Sequence, residues 1–229
     1  MKLQKFLVLL FMIMLFSIAP VSAAEASPIL KTANLNISYG DRVMVTEEIT
    51  IANAEAIPKA ALEHVATKIS GVQLENLDVN ANNQKLTYEA SEGGSVDKFI
   101  VSLPEGVQGD FTYTLSYEVS DLETEKIPFL VPAVNSDGNG NVVSLQVELP
   151  EGTYLHESFP IIDSGDSGTV EEHMMNIPSF AGLQTGSSPA GFFTISNFYT
   201  IFGLAVILGI IIAWIISERK SKAGEIVNV

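Results

Sequence analysis

The chain has 229 residues, with 27 acidic against 12 basic side chains and no cysteine. Without cysteine it makes no disulfide, no thiolate metal site, no covalent haem attachment and no lipid-modified cysteine anchor. The formal charge of −15 sits between two apolar runs: Lys2, Lys5, Arg219, Lys220 and Lys222 lie in the flanking ends with only Glu218 and Glu225 against them, leaving about −18 for the stretch between.

The first apolar run, Phe6 to Val21, follows Lys2 and Lys5 and ends at the small residues Val21-Ser22-Ala23-Ala24. A short apolar stretch behind a positive n-region and before small residues is the layout of a cleaved secretory signal, and residues 1–23 are expected to be removed.

From residue 28 onward the pattern changes to alternation. Leu35, Ile37 and Tyr39 precede Gly40-Asp41, and Val43, Val45, Ile49 and Ile51 continue with the same parity, which predicts a hairpin. Pro58 to Ile69 carries Leu62, Val65 and Ile69 at near-helical spacing behind a first-turn proline, and a short helix is expected there. Leu74 to Val79, Lys85 to Ala90 and Lys98 to Leu103 are further strand candidates between turn-rich segments. Phe111, Tyr113, Leu115, Tyr117 and Val119 alternate with polar residues, as do Val143, Leu145, Val147 and Leu149. Each is the period-two pattern of a strand with one face buried and one wet.

These strands predict a mainly β fold: an antiparallel immunoglobulin-like β-sandwich over residues 28–120, and a second β region, or its continuation, over 127–183. Val43 to Ile49 together with Tyr113 to Val119 resembles the extracytoplasmic immunoglobulin-like domains at the N-termini of bacterial membrane proteins, over Ile29 to Ser120. The resemblance implies no activity. Val101-Ser102-Leu103-Pro104-Glu105-Gly106 and Val147-Glu148-Leu149-Pro150-Glu151-Gly152 form a weak repeat, in which Pro stops a strand and Gly turns it. That is the ordinary chemistry of a strand end; a duplicated β domain with a boundary near Asp121 to Lys126 is the alternative.

Residues 184–197, rich in Gly, Ser, Pro and Thr, suggest a stalk. Residues 198–216 hold no charge and, at about 1.5 Å of rise per residue, match the roughly 30 Å of bilayer hydrocarbon. Arg219, Lys220 and Lys222 follow it, so the positive-inside bias puts residues 217–229 in the cytoplasm and the acidic segment outside. Ala205, Gly209 and Ala213 recur every four residues, a face on which another helix, a second copy or a multi-pass partner, packs closely. Tyr199 and Trp214 stand near the two ends, at head-group level.

The polar motifs assign no catalytic, cofactor or metal residue. Gly165-Asp166-Ser167-Gly168, with His64 upstream, resembles the nucleophile turn of chymotrypsin-like serine proteases, but Thr169 and Leu62-Glu63-His64-Val65 depart from that pattern and the span is too short for two barrels. Asn135 to Asn141 spaces oxygen-bearing side chains as a calcium loop does, yet position twelve is Gln146 and no helices flank it. His156, His173, Met174 and Met175 are copper-type donors without paired-ligand spacing. Glu47-Glu48 and Glu171-Glu172 are adjacent, so on strands their members face opposite ways and share no proton; all four are expected in solvent. Asn36-Ile37-Ser38 is a glycosylation sequon expected by chance.

The negative surface excludes nucleic acid as a partner and favours cations or basic ligands. Taken together, the chain reads as a type I single-pass membrane protein of a bacterial cell membrane. Its acidic ectodomain is a binding or assembly module, such as an accessory subunit of a transporter or envelope complex, rather than an enzyme. A tethered hydrolase or a metal-binding protein is the alternative.

Overall fold

The computed structural model describes residues 26–40, 42–120, 125–136, 138, 140–189 and 195–225, and the expected signal segment lies outside them. The described residues are mainly β, in three sheets, with one apolar C-terminal helix.

The chain opens with β1 (Ile29–Tyr39) and β2 (Val43–Ala52), the expected hairpin, in which Ile37 faces Val45 and Leu35 faces Glu47 across the ladder. Two 3-10 turns (Ala54–Ala56, Pro58–Ala60) lead into β3 (Ala61–Thr67). Next come β4 (Gln73–Ala81), β5 (Gln84–Lys85), β6 (Tyr88–Glu92), β7 (Val96–Ser102) and β8 (Phe111–Ser120). The short strands β9 (Lys126–Pro128), β10 (Val131–Pro132) and β11 (Asn135–Ser136) precede β12 (Val143–Glu148). The sheets are completed by β13 (Tyr154–Phe159), β14 (Thr169–Met174) and β15 (Phe180–Gly186), and α1 spans Ile195–Glu225.

The first sheet runs β14-β12-β1-β2-β8-β4-β5, with β11 also on β1; the second runs β10-β3-β7-β6; the third runs β13-β15-β9. Their inward faces share one core, built from the alternations seen in sequence: Val43, Val45, Ile49 and Ile51 of β2, Phe111 to Val119 of β8, and Val143, Leu145 and Val147 of β12. Each such aliphatic side chain removed from water contributes about 1.5–3 kcal/mol.

Three expectations are corrected. Pro58 to Ile69 is not a helix: Lys59 and Ala60 take left-handed φ of 56° and 50°, which ends the 3-10 turn, and Ala61–Thr67 then buries Leu62, His64 and Ala66 at period two. Nor is the pairing wholly antiparallel, because β1 lies parallel to both β11 and β12. Finally, Gln184 to Gly186, taken as stalk, belong to β15 and pair with β13. There His156 of β13 fills the place a side chain at residue 186 would need: a Cβ on Gly186 would fall 2.4 Å from its ring.

Both Leu-Pro-Glu-Gly segments lie just after a strand, and Gly106 and Gly152 turn the chain at φ of 76° and 75°, a conformation that favours glycine. The strands they end belong to different sheets.

Candidate functional site

An acid and an imidazole, Glu47 and His64, are fully buried in this core, beside the buried phenols of Tyr113 and Tyr117. The alternation of β2 puts position 47 on the inward face between Val45 and Ile49, so Glu47 is not solvated as its neighbour Glu48 is. This corrects the expectation that the pair is exposed, while the two do face opposite ways. Position 64 is inward on β3 for the same reason, and across the core it meets Tyr113 of β8: His64 Nε2 and Tyr113 Oη are 2.6 Å apart, with the rings edge to face. His64 Nδ1 has no hydrogen bond of good geometry among the described residues.

Glu47 lies opposite Leu115 of β8, with Tyr117 and Tyr113 opposite its inward neighbours Val45 and Ile49. Its Oε1 is 2.6 Å from Tyr117 Oη and accepts the Leu130 N–H at 2.8 Å, while Oε2 is buried without a hydrogen-bond partner among the described residues. Tyr117 Oη is also 2.9 Å from the Pro128 carbonyl. Burial pushes the Glu47 carboxyl up to about 7, against the pull of the hydrogen bonds from Tyr117 and Leu130. Burial takes His64 the other way, down to about 4, with the backbone at Leu62 and Phe99 opposing. Both phenols are raised well above the usual tyrosine range by burial, and then by the Glu47 charge.

This network is sealed from solvent in the closed domain. What it does is bind sheets together: His64–Tyr113 ties the second sheet to the first, while Glu47 and Tyr117, both on the first, reach the Leu130 N–H and the Pro128 carbonyl.

The other candidates are scattered. Ser167 lies exposed in the β13–β14 loop, 3.4 Å from Asp166, while His64 is engaged with Tyr113 in the core, so the protease-like pair is not assembled. Gln146, twelfth of the calcium-like string, is drawn into β12 opposite Asn36; Asp137 and Asn139 of that string lie outside the described residues. His156 Nε2 donates to the Ser188 carbonyl at 2.8 Å, and His173 is 3.7 Å from Glu171 on its own strand. Met174 packs against the core and Met175 is exposed. Among the described residues no group of three or more His, Asp or Glu side chains is placed to hold a metal ion. The sequon residue Asn36 is in the middle of β1, flanked by β2 and β12, with its side-chain oxygen buried.

A cleft of about 670 Å³ is lined by residues of β3, β4, β6 and β7 and by Pro128 of β9. Val72, Leu74, Phe99 and Pro128 give it apolar walls, and it is also lined by Glu92 and by Lys68 and Asp97, which pair at 3.1 Å.

No family model matches the chain, and no curated protein matches it. Among solved structures it is similar to leukotriene A4 hydrolase from Saccharomyces cerevisiae, at TM-score 0.43 and 11% identity over 73% of this chain and 32% of that one. An M1 zinc metallopeptidase from Deinococcus radiodurans gives 0.42 and 11%, over 71% and 43%. A non-cellulosomal cohesin from Archaeoglobus fulgidus gives 0.29 and 12%, over 44% and 70%. The chain spans about a third of the length of the hydrolase. Likeness at this level assigns neither family nor activity.

Proposed function

We propose that this chain is a single-pass membrane protein that presents its acidic β domain on the extracytoplasmic side as a binding or assembly module. The observation that carries the reading is α1: Phe198–Ser217 is a 20-residue stretch of mean hydropathy 2.6, none of it buried against the β domain. Side chains such as Leu204, Ile210 and Trp214 are more than half exposed along its length, and an apolar surface of that extent is stable in lipid rather than in water. Arg219, Lys220 and Lys222 beyond it favour a cytoplasmic end, which leaves the β domain outside.

Binding is preferred to catalysis because Glu47 and His64, both shifted by burial, are closed off in the core, where they serve packing. The immunoglobulin-like reading of the domain rests on strands with one wet and one buried face, an architecture that recurs in recognition modules. An accessory subunit of a transporter or envelope complex fits a chain whose membrane helix carries Ala205, Gly209 and Ala213 on one face; a Cβ at Gly209 would meet nothing within 4 Å, so that face is free for a neighbour.

Protease shaving of intact cells, followed by cross-linking from the β domain and purification of the full chain, tests the proposal. The domain should be cleaved from outside, and a membrane or envelope protein should co-purify. A domain protected until the cells are broken overturns the topology. Turnover of an exported ester, peptide or glycan by the purified chain, lost when the cleft around Phe99 is blocked, favours the tethered-hydrolase alternative.

A further inference from the structure

The segment Lys126–Pro132 bridges two sheets. Its β9 end pairs with β15 of the third sheet, its β10 end pairs with β3 of the second, and Phe129 and Leu130 between them are fully buried. The middle of this strap is held from inside by two contacts, Leu130 N–H to Glu47 Oε1 and Tyr117 Oη to the Pro128 carbonyl.

Counting protons at Tyr117 shows which form of Glu47 this geometry suits. The phenol has one proton, yet it stands 2.6 Å from Glu47 Oε1 and 2.9 Å from the Pro128 carbonyl. If Glu47 is ionised, both neighbours are acceptors, and the single phenol proton serves one of them or is shared weakly between the two. If Oε1 carries a proton, it donates to Tyr117 Oη, the phenol donates to Pro128, and Oε1 still accepts from Leu130. Every contact is then a hydrogen bond. Oε2, buried without a partner, is tolerable as the carbonyl of a neutral acid and costly as half of a carboxylate.

We propose that Glu47 is a neutral carboxylic acid in the closed domain, and that loss of its proton releases the Lys126–Pro132 strap, making the strap a proton-operated catch between the sheets. The titratable groups facing Glu47 are Tyr113 and Tyr117 from β8 and, through Tyr113, His64 from β3. Leu35 of β1 lies opposite it in the ladder, the strap contributes the buried Ile127, Phe129 and Leu130, and no ion pair to Glu47 occurs among the described residues. A carboxylate made there must draw in water. The wall that yields is the strap, because β2 and β8 are locked by a ladder running from Val43 to Ile51, whereas β9 and β10 are strands of three and two residues. Since β9 pairs with β15, release loosens the third sheet, whose strand β15 leads toward the membrane helix.

Hydrogen exchange of the full-length protein in detergent at about pH 5.5 and about pH 8.5, with labelling times scaled for the intrinsic pH dependence, reads the catch at the Leu130 amide. Protection of peptides covering 126–132 should fall on the order of tenfold or more at the higher pH, that of β8 peptides should not, and in Glu47→Gln, which has no proton to lose, protection of the strap should be the same at both. Infrared difference spectra should show a protonated carboxyl C=O band at the lower pH, lost on raising it and missing from Glu47→Gln. Equal protection of Leu130 at both pH values in the wild-type chain overturns the catch, as does a strap in Glu47→Gln that opens with pH as the wild type does. If the variant does not fold, the wild-type exchange and the carboxyl band decide on their own.

Discussion

Glu47 and His64 carry opposite proton linkages to folding. The Glu47 carboxyl, raised from 4.5 to about 7, holds its proton more tightly folded than unfolded, so its contribution is complete below about pH 4.5 and is lost as pH rises through about 7. His64, lowered from 6.5 to about 4, behaves conversely: its contribution is present above about pH 6.5 and is lost as pH falls through about 4. Between those limits each group alone would tilt stability by about 1.4 kcal/mol per pH unit, and the two tilts cancel. Denaturant unfolding across this window should therefore show Glu47→Gln gaining stability with rising pH relative to wild type, and His64→Gln losing it. Parallel curves for all three proteins would show that neither group is shifted. The exposed pairs Lys31–Asp110 and Arg42–Glu118 should contribute little by comparison, since solvent screens them.

At the scale of elements, β8 tests the facing of the first sheet. Leu115 is buried and lies directly opposite Glu47, whereas Thr114 points to the other face opposite Glu48. Leu115→Asp sets a second carboxyl beside the first in the core and should cost more than about 4 kcal/mol, enough to unfold most single domains. Thr114→Asp should shift the thermal midpoint by only a few degrees. Circular dichroism melts of both variants check this, and similar losses for the two would reverse the facing. The segments whose inward and outward residues alternate cleanly, β2, β8, β12 and β1 beyond its irregularity at Leu30–Thr32, were readable from the chain alone, because a half-buried strand writes its period locally. The same parity passes through Glu47, and an acid on an otherwise apolar face is the mark the buried network leaves in the sequence. His64 was hidden by Leu62, Val65 and Ile69, whose spacing mimics a helix; the left-handed Lys59-Ala60 pair that breaks it leaves no mark in the residue types. The split into three sheets and the strap depend on register between distant segments, which local periodicity does not record.

For the whole molecule, the apolar helix α1 separates two readings of how the β domain acts. If α1 joins a partner through the Ala205, Gly209 and Ala213 face, Gly209→Ile should abolish a detergent-stable complex, because a bulky side chain keeps the helices apart and lipid supplies no hydrophobic drive to compensate. Conservative changes at Ile207 or Ile211 should leave it intact. Co-purification and a membrane association reporter measure this, and indifference to Gly209→Ile leaves α1 as a tether for a domain that works alone.

The parallel pairing of β1 with β12 also dictates an order of events during synthesis. From Ala33 with Val143 to Ser38 with Glu148, every partner is 110 residues further along the chain. Until that distant stretch emerges, the Ala33–Ser38 part of β1 has β2 on one side and a bare row of amide and carbonyl groups on the other. Closing so long a loop is slow, and an open strand edge invites pairing with other chains. The nascent β1–β2 hairpin is thus the point in this chain most in need of a holding chaperone, and β12 is the strand whose arrival ends that need.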